Sequence, residues 1–314
     1  MSNRIIAVVG PTGSGKTALS VKIAEAMDGE IISIDSMQVY RGMDIGTAKV
    51  TESEKRGIPH HMIDIRDPWQ SFSCAEFCDM AGRIADGIIS RGKIPVLCGG
   101  TGLYLDTLLR IECFSPGVPE RIRAELVNET PEALYAELLD VDPQSAEKIH
   151  PNNVKRVIRA LEIYRGTGIP KSEWDRRAVR TETRYDARIV RLEYADRRGL
   201  YAAIDRRVDE MLEKGLAGEC ARLNLDRSSQ AAQAIGYKEI YMWIDGLLSR
   251  EEAVELLKKN TRNYAKRQLT WFRRYTDALT LYRDGADERQ LLEEALEYCG
   301  KDLLPRRKEG KDLL

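Results

Sequence analysis

The chain has 314 residues, 43% of them hydrophobic and 32% charged, with 49 Lys+Arg against 50 Asp+Glu. That length suits about two domains, and the balanced charge excludes disorder driven by net charge. No apolar run approaches the ~20 residues of a membrane-spanning helix, and six scattered cysteines with three histidines in no ligand cadence exclude a disulfide scaffold or zinc finger.

In chain order, Arg4–Val9 reads as a buried strand, Gly10–Thr17 as a glycine-rich turn and Ala18–Met27 as a helix. Glu30–Ile34 is a second β-branched run, ending at Asp35. Ala75–Arg91 has helical spacing, and Val96–Cys98 is a third strand running into Gly99-Gly100-Thr101-Gly102. The alternation predicts an α/β fold, a parallel sheet flanked by helices, with ligands beyond the carboxyl ends of its strands. From about Ser115 prolines punctuate short helical stretches, of which Asn153–Tyr164 is the clearest. They predict a small all-helical domain over 115–190, inserted between a first core part, 1–114, and its continuation, 191–299. Arg188–Leu192 reads as a strand returning to the sheet, Leu200–Lys214 and Glu251–Tyr275 as long helices, and 300–314 as a frayed tail. The first residues lack the long apolar stretch of a signal peptide, so a cytoplasmic protein is expected.

Gly10-Pro11-Thr12-Gly13-Ser14-Gly15-Lys16-Thr17 fits G-x-x-x-x-G-K-[ST] between a strand and a helix, the pattern of a phosphate-binding loop. Its amides and the helix dipole favour phosphate oxygens, Lys16 reaches the terminal phosphates, and the Thr17 hydroxyl suits Mg²⁺. Asp35, ending the second strand, serves as a base, a water-mediated Mg²⁺ ligand or a turn cap. Lys258–Arg274 holds seven basic residues and no acidic one, the footprint of a localised anionic partner. Lys259, Arg262, Lys266 and Arg273 share one face of that helix, while Leu257, Tyr264, Trp271 and Tyr275 gather opposite as a core seam. His60 and His61 read as structural turn residues. The loop and Asp35 alone suit a P-loop kinase of small molecules, a diphosphate-releasing transferase or a nucleotide-switched RNA-binding protein.

Longer blocks narrow this. Asp35-Ser36-Met37-Gln38-Val39-Tyr40 with Gly42–Lys49, Pro59–Asp64, Gly99–Tyr104, Ile149–Asn152, Arg156–Glu162, Ile235–Lys238 and Lys266–Trp271 resemble, in order, the bacterial tRNA dimethylallyltransferase family, with its P-loop NTPase-like fold. The resemblance implies transfer of a dimethylallyl group from its diphosphate to N6 of the adenosine 3′ to the anticodon, in tRNAs reading codons that begin with U. It implies Asp35 as the base, Thr101 lining the reaction channel and Arg207 on the diphosphate. It further implies tRNA contacts at Asp35, Ser36, Met37, Gln38 and Thr101, then at Arg123, Lys155, Arg156, Val157, Ile158 and Arg159 of the inserted domain, which closes on the anticodon stem-loop. The remaining implied contacts are Gln233, Gly236, Tyr237 and Lys238, with Lys266, Arg267, Gln268 and Arg273. The partners expected are tRNA and dimethylallyl diphosphate, with no membrane, for a protein acting as a monomer. Prenylation of free adenine nucleotides is the neighbouring alternative.

Overall fold

The computed structural model describes residues 3–109, 117–178 and 183–300. The chain forms two compact units: one takes the chain up to Leu109 and from Tyr185 onward, the other the stretch between. In the first unit, β1 (Arg4–Val9), α1 (Lys16–Ala26), β2 (Gly29–Ser33), α2 (Glu52–Lys55), β3 (His60–His61), α3 (Cys74–Ser90), β4 (Ile94–Gly99) and α4 (Gly102–Leu109) come first. The second unit holds α5 (Glu120–Val127), α6 (Pro131–Val141), α7 (Pro143–Lys148), α8 (Val154–Thr167) and α9 (Lys171–Ala178). The first then resumes with β5 (Asp186–Glu193), α10 (Arg197–Glu213), α11 (Leu216–Leu223), α12 (Tyr237–Ile244), α13 (Arg250–Phe272), β6 (Leu279–Tyr282) and α14 (Glu288–Cys299).

The strands form one six-stranded sheet in the order β3-β2-β4-β1-β5-β6, every neighbouring pair parallel. Successive strand residues face opposite ways, so Ile5, Ala7 and Val9 enter one core layer with Ile32 and Leu97. Ile6 and Val8 enter the other with Ile31, Val96, Val190 and Leu192. The apolar runs of β1 and β4 carry no polar alternation because both faces are covered. The smaller unit has its own core, built from Leu126, Leu134, Leu138, Val157, Ile158 and Leu161.

Two expectations are corrected here. Residue 190 is no boundary: β5 pairs with β1 from Asp186 against Arg4, so 186–190 belong to the sheet. His60 and His61 form the edge strand β3 rather than a turn. His61 Nε2 lies 2.8 Å from the buried Glu30 carboxylate, and His60 Nδ1 lies 2.8 Å from the Ile58 carbonyl oxygen. The expected limit at 114/115 and the tail from 301 fall outside the described residues.

Candidate active site

Three strand ends meet at one edge of the sheet. The phosphate-binding loop follows β1, and Gly15 caps α1 at φ 81°, a left-handed conformation that side-chain-bearing residues seldom adopt. Asp35 stands two residues beyond β2, where its Oδ1 accepts the Met37 N–H at 2.9 Å and the Gln38 N–H at 3.4 Å, an Asx turn that fixes the carboxylate. Thr101 follows β4; its N–H donates to the Ile34 carbonyl at 3.1 Å and its Oγ1 accepts the Ser36 N–H at 3.2 Å. Gln268 of α13 ties the assembly together. It accepts the Thr12 N–H at 2.9 Å and donates to the Gly100 carbonyl at 3.0 Å.

Two cavities open here. The smaller, about 290 Å³, is lined by Asp35, Ser36, Met37, Gly46, Gly236 and Tyr264 among others. The larger, about 580 Å³, runs along Gly13, Gly15, Lys16 and Thr17. Arg207 and Met211, one turn apart on α10, line both.

Electrostatics divide the two cavities. Lys16 Nζ donates to the Pro11 carbonyl at 3.2 Å, and among the described residues neither Lys16 nor Arg207 has a carboxylate within ion-pairing distance. Burial is the chief cause that lowers Lys16 to about 8, and neighbouring Arg207 adds to it. Burial likewise lowers Arg207, against the opposing pull of Asp35. Both side chains are half-buried, and cations held partly out of water without an anion are costly unless a ligand supplies the negative charge. Across from them, burial and the Asp35 charge push the Tyr264 phenol up to about 12. Among the described residues no cluster of His, Cys, Asp and Glu fits a metal cage, so a cation here would rest on Thr17 Oγ and on oxygens of the ligand.

A second carboxylate shapes the walls. Glu219 of α11, 1% exposed, accepts the N–H groups of Asp44, Ile45 and Gly46 at 2.8–3.1 Å and the Tyr237 hydroxyl at 2.5 Å. Tyr237 closes over Gly46, where an added Cβ would lie 2.4 Å from its ring. Asp44 and Ile45 line the larger cavity, and Gly46 and Thr47 the smaller. Glu219 and Met211 escaped the sequence reading, and Tyr264 was read there as core. A buried acid beside Leu216 and Cys220 on an apolar helix face was the one signal for Glu219.

Several expected RNA contacts change character. Val157 (1% exposed) and Ile158 (6%) point into the core of the smaller unit, because α8 must bury that face. Arg123 and Arg159 share the buried Glu162 carboxylate at 3.0 and 3.1 Å, while Lys155 and Arg156 are exposed. Tyr237 is wholly buried under Gly46, and Gln268 (5% exposed) spends its amide on the loop clamp. Gln38 is turned inward too, accepting from Ser33 Oγ at 2.9 Å and donating to the Thr47 carbonyl at 3.3 Å. The basic face of α13 is partly neutralised: Lys258 pairs with Asp209 at 2.7 Å, Arg262 with Asp205 at 2.5 Å, and Arg274 with Asp106. Lys259, Lys266, Arg267 and Arg273 remain exposed. Gln233 and Gly236 line the smaller cavity, and Lys238 is exposed beside them. Of the expected seam, Leu257 is buried in the core and lines the smaller cavity together with Tyr264.

Residues 38–275 match the family described as IPP transferase, and residues 3–68 match isopentenyl transferase. A tRNA dimethylallyltransferase of Anoxybacillus flavithermus is 48% identical over 276 residues, covering 87% of this chain and 88% of the relative. That of Symbiobacterium thermophilum is 44% identical over 315 residues, 98% of each. The crystal structure of the tRNA isopentenylpyrophosphate transferase from Bacillus halodurans superposes with a TM-score of 0.71 at 43% identity, covering 96% of this chain and 97% of that one. A eukaryotic dimethylallyltransferase acting on tRNA reaches a TM-score of 0.81 at 32% identity, over 94% of this chain and 78% of that one. The sheet has the P-loop NTPase-like fold of these enzymes, and the chain belongs to the tRNA dimethylallyltransferase family.

Proposed function

We propose that the protein transfers the dimethylallyl group of dimethylallyl diphosphate to N6 of the adenosine 3′ to the anticodon, in tRNAs reading codons that begin with U, and releases diphosphate. The observation that carries this reading is Arg207, which lines a cavity holding the phosphate loop and also one holding a fixed carboxylate. The donor's diphosphate sits on the loop amides, Lys16 and Arg207, and the adenine enters beside Asp35 and Tyr264. As the C1–O bond breaks, negative charge grows on the diphosphate, where the two unpaired cations stabilise it. The N6 lone pair bonds C1 from the other side, and its proton passes to Asp35. Mg²⁺ held by Thr17 Oγ and the diphosphate would add Lewis-acid stabilisation of the same charge. Arg123, Lys155, Arg156 and Arg159 in the smaller unit, with Lys266, Arg267 and Arg273, hold the RNA backbone, and the protein works in the cytoplasm as a monomer. An adenosine in a stem-loop must leave its stack to reach Asp35, costing a few kcal/mol, which that grip offsets.

The test is mass spectrometry of nucleosides digested from tRNA after incubation with dimethylallyl diphosphate and Mg²⁺. A five-carbon adduct on adenosine is expected. Unmodified tRNA, with ADP formed when ATP and small acceptors are supplied, would replace this reading with a kinase.

A further inference from the structure

The two cavities share two lining residues, and the boundary between them, the neck, has walls of different character. One wall is the Arg207–Met211 turn of α10, the two residues that line both cavities. Another is the 44–47 segment, with Asp44 and Ile45 on the larger side and Gly46 and Thr47 on the smaller, pinned by Glu219 through three backbone N–H groups. Displacement at an allylic carbon is in line, so the leaving oxygen and the attacking nitrogen occupy opposite faces of C1. With the diphosphate on the loop and the adenine beside Asp35, C1 lies in the neck. The rest of the allyl group then projects sideways, across the line joining the cavities, into the wall. Of the two residues that line both cavities, Arg207 is cationic and takes the diphosphate. Met211 is the apolar one. It is 9% exposed and packs in the main core with Val208, which lines the smaller cavity as well.

We infer that Met211 sets the chain length of the prenyl donor: its side chain ends the space available beyond the five-carbon group. The inference rests on the transfer reaction proposed above. The larger cavity, at about 580 Å³, does not itself limit the donor, because the tail leaves the line of the diphosphate at C1. A methionine is an unbranched filler, and cutting it to alanine removes three heavy atoms from the wall. A ten-carbon allylic diphosphate would then react by the same balanced step. Its C1–O bond breaks with the electron pair leaving on diphosphate, the N6 lone pair forms the new bond, and the N6 proton goes to Asp35.

The experiment compares Met211→Ala with the unaltered protein on tRNA, using dimethylallyl diphosphate and geranyl diphosphate as competing donors and counting five- and ten-carbon adducts on adenosine. The ten-carbon share relative to the five-carbon share should rise at least about tenfold, a difference of about 1.4 kcal/mol in transition-state binding. An unchanged ratio in a variant that still transfers the five-carbon group would overturn the inference. Should Met211→Ala not fold, Met211→Val opens the wall by less, and the same ratio decides in the same direction. Failure of the underlying reaction is separately visible, as the absence of any adduct with the unaltered protein.

Discussion

In the proposed transfer Lys16 serves the leaving group and Asp35 the nucleophile, and each makes a distinct prediction. Burial above all, and Arg207 beside it, push Lys16 down to about 8. A bound diphosphate favours the charged form, so donor binding takes up a proton above that pH. The sign follows: KM for the donor should be flat below about pH 7 and rise as pH passes 8, measurable in steady-state pH profiles. Lys16→Ala should weaken donor binding by roughly 10- to 150-fold, the equivalent of a charge-assisted contact of about 1.5–3 kcal/mol, and abolish that inflection. A variant with the same donor KM as the unaltered protein would remove the loop from the diphosphate site. Asp35→Asn keeps the turn, since an amide oxygen still accepts the Met37 N–H, but cannot take a proton. Single-turnover rates should fall by about 10²–10⁴ while tRNA affinity stays within a few-fold. Raising Mg²⁺ should not restore the rate; if it did, Asp35 would be a metal-supporting group instead.

Elements fix where these residues stand, and here the buried carboxylate of α11 matters most. Glu219 satisfies three consecutive amides and a phenol. Glu219→Gln supplies one acceptor oxygen and sets an NH₂ group against N–H donors, so it should cost about 1–3 kcal/mol. For a domain of the larger unit's size that is a drop of several degrees in Tm by thermal melting. Tyr237→Phe, losing a single hydrogen bond, should cost less; equal or larger loss would mean the ring packing over Gly46 dominates. The same elements show what a sequence discloses. β1, the loop and β4 were legible because a strand buried on both faces is an unbroken apolar run and the loop has a strict spacing. β3 was not, being two histidines paired to Ile31 and Ile32 through tertiary contact alone. α14 lies in an acidic stretch whose apolar stripe of Leu291, Ala295 and Leu296 was masked by charge. Charge on α13 was only partly legible for a related reason: spacing along one helix says nothing of Asp205 and Asp209 on α10 or Asp106 on α4, which neutralise Lys258, Arg262 and Arg274. Asp35 and Thr101 were placed at strand ends by pattern, whereas Arg207 came from family resemblance, and Met211 left no trace in spacing.

Across the whole molecule, the larger unit carries the strand-end cavities and the smaller carries exposed cations over its own core. If the latter grips RNA backbone, Lys155→Ala with Arg156→Ala should flatten the salt dependence of tRNA binding by about two phosphate contacts, with donor KM unmoved. Arg262→Ala should instead lower Tm and leave the salt slope alone, because its charge is committed to Asp205. A slope unchanged by the first pair would confine RNA binding to the larger unit. The central claim is that one chain delivers a five-carbon group across the neck to an adenosine presented in RNA. Its most direct measurement offers an anticodon stem-loop and free adenosine monophosphate as competing acceptors, with dimethylallyl diphosphate and Mg²⁺, and separates the products by mass. The account predicts the adduct on the stem-loop adenosine, with diphosphate released in equal amount and negligible prenylated monophosphate; comparable prenylation of the free nucleotide, or none of the RNA, would contradict it.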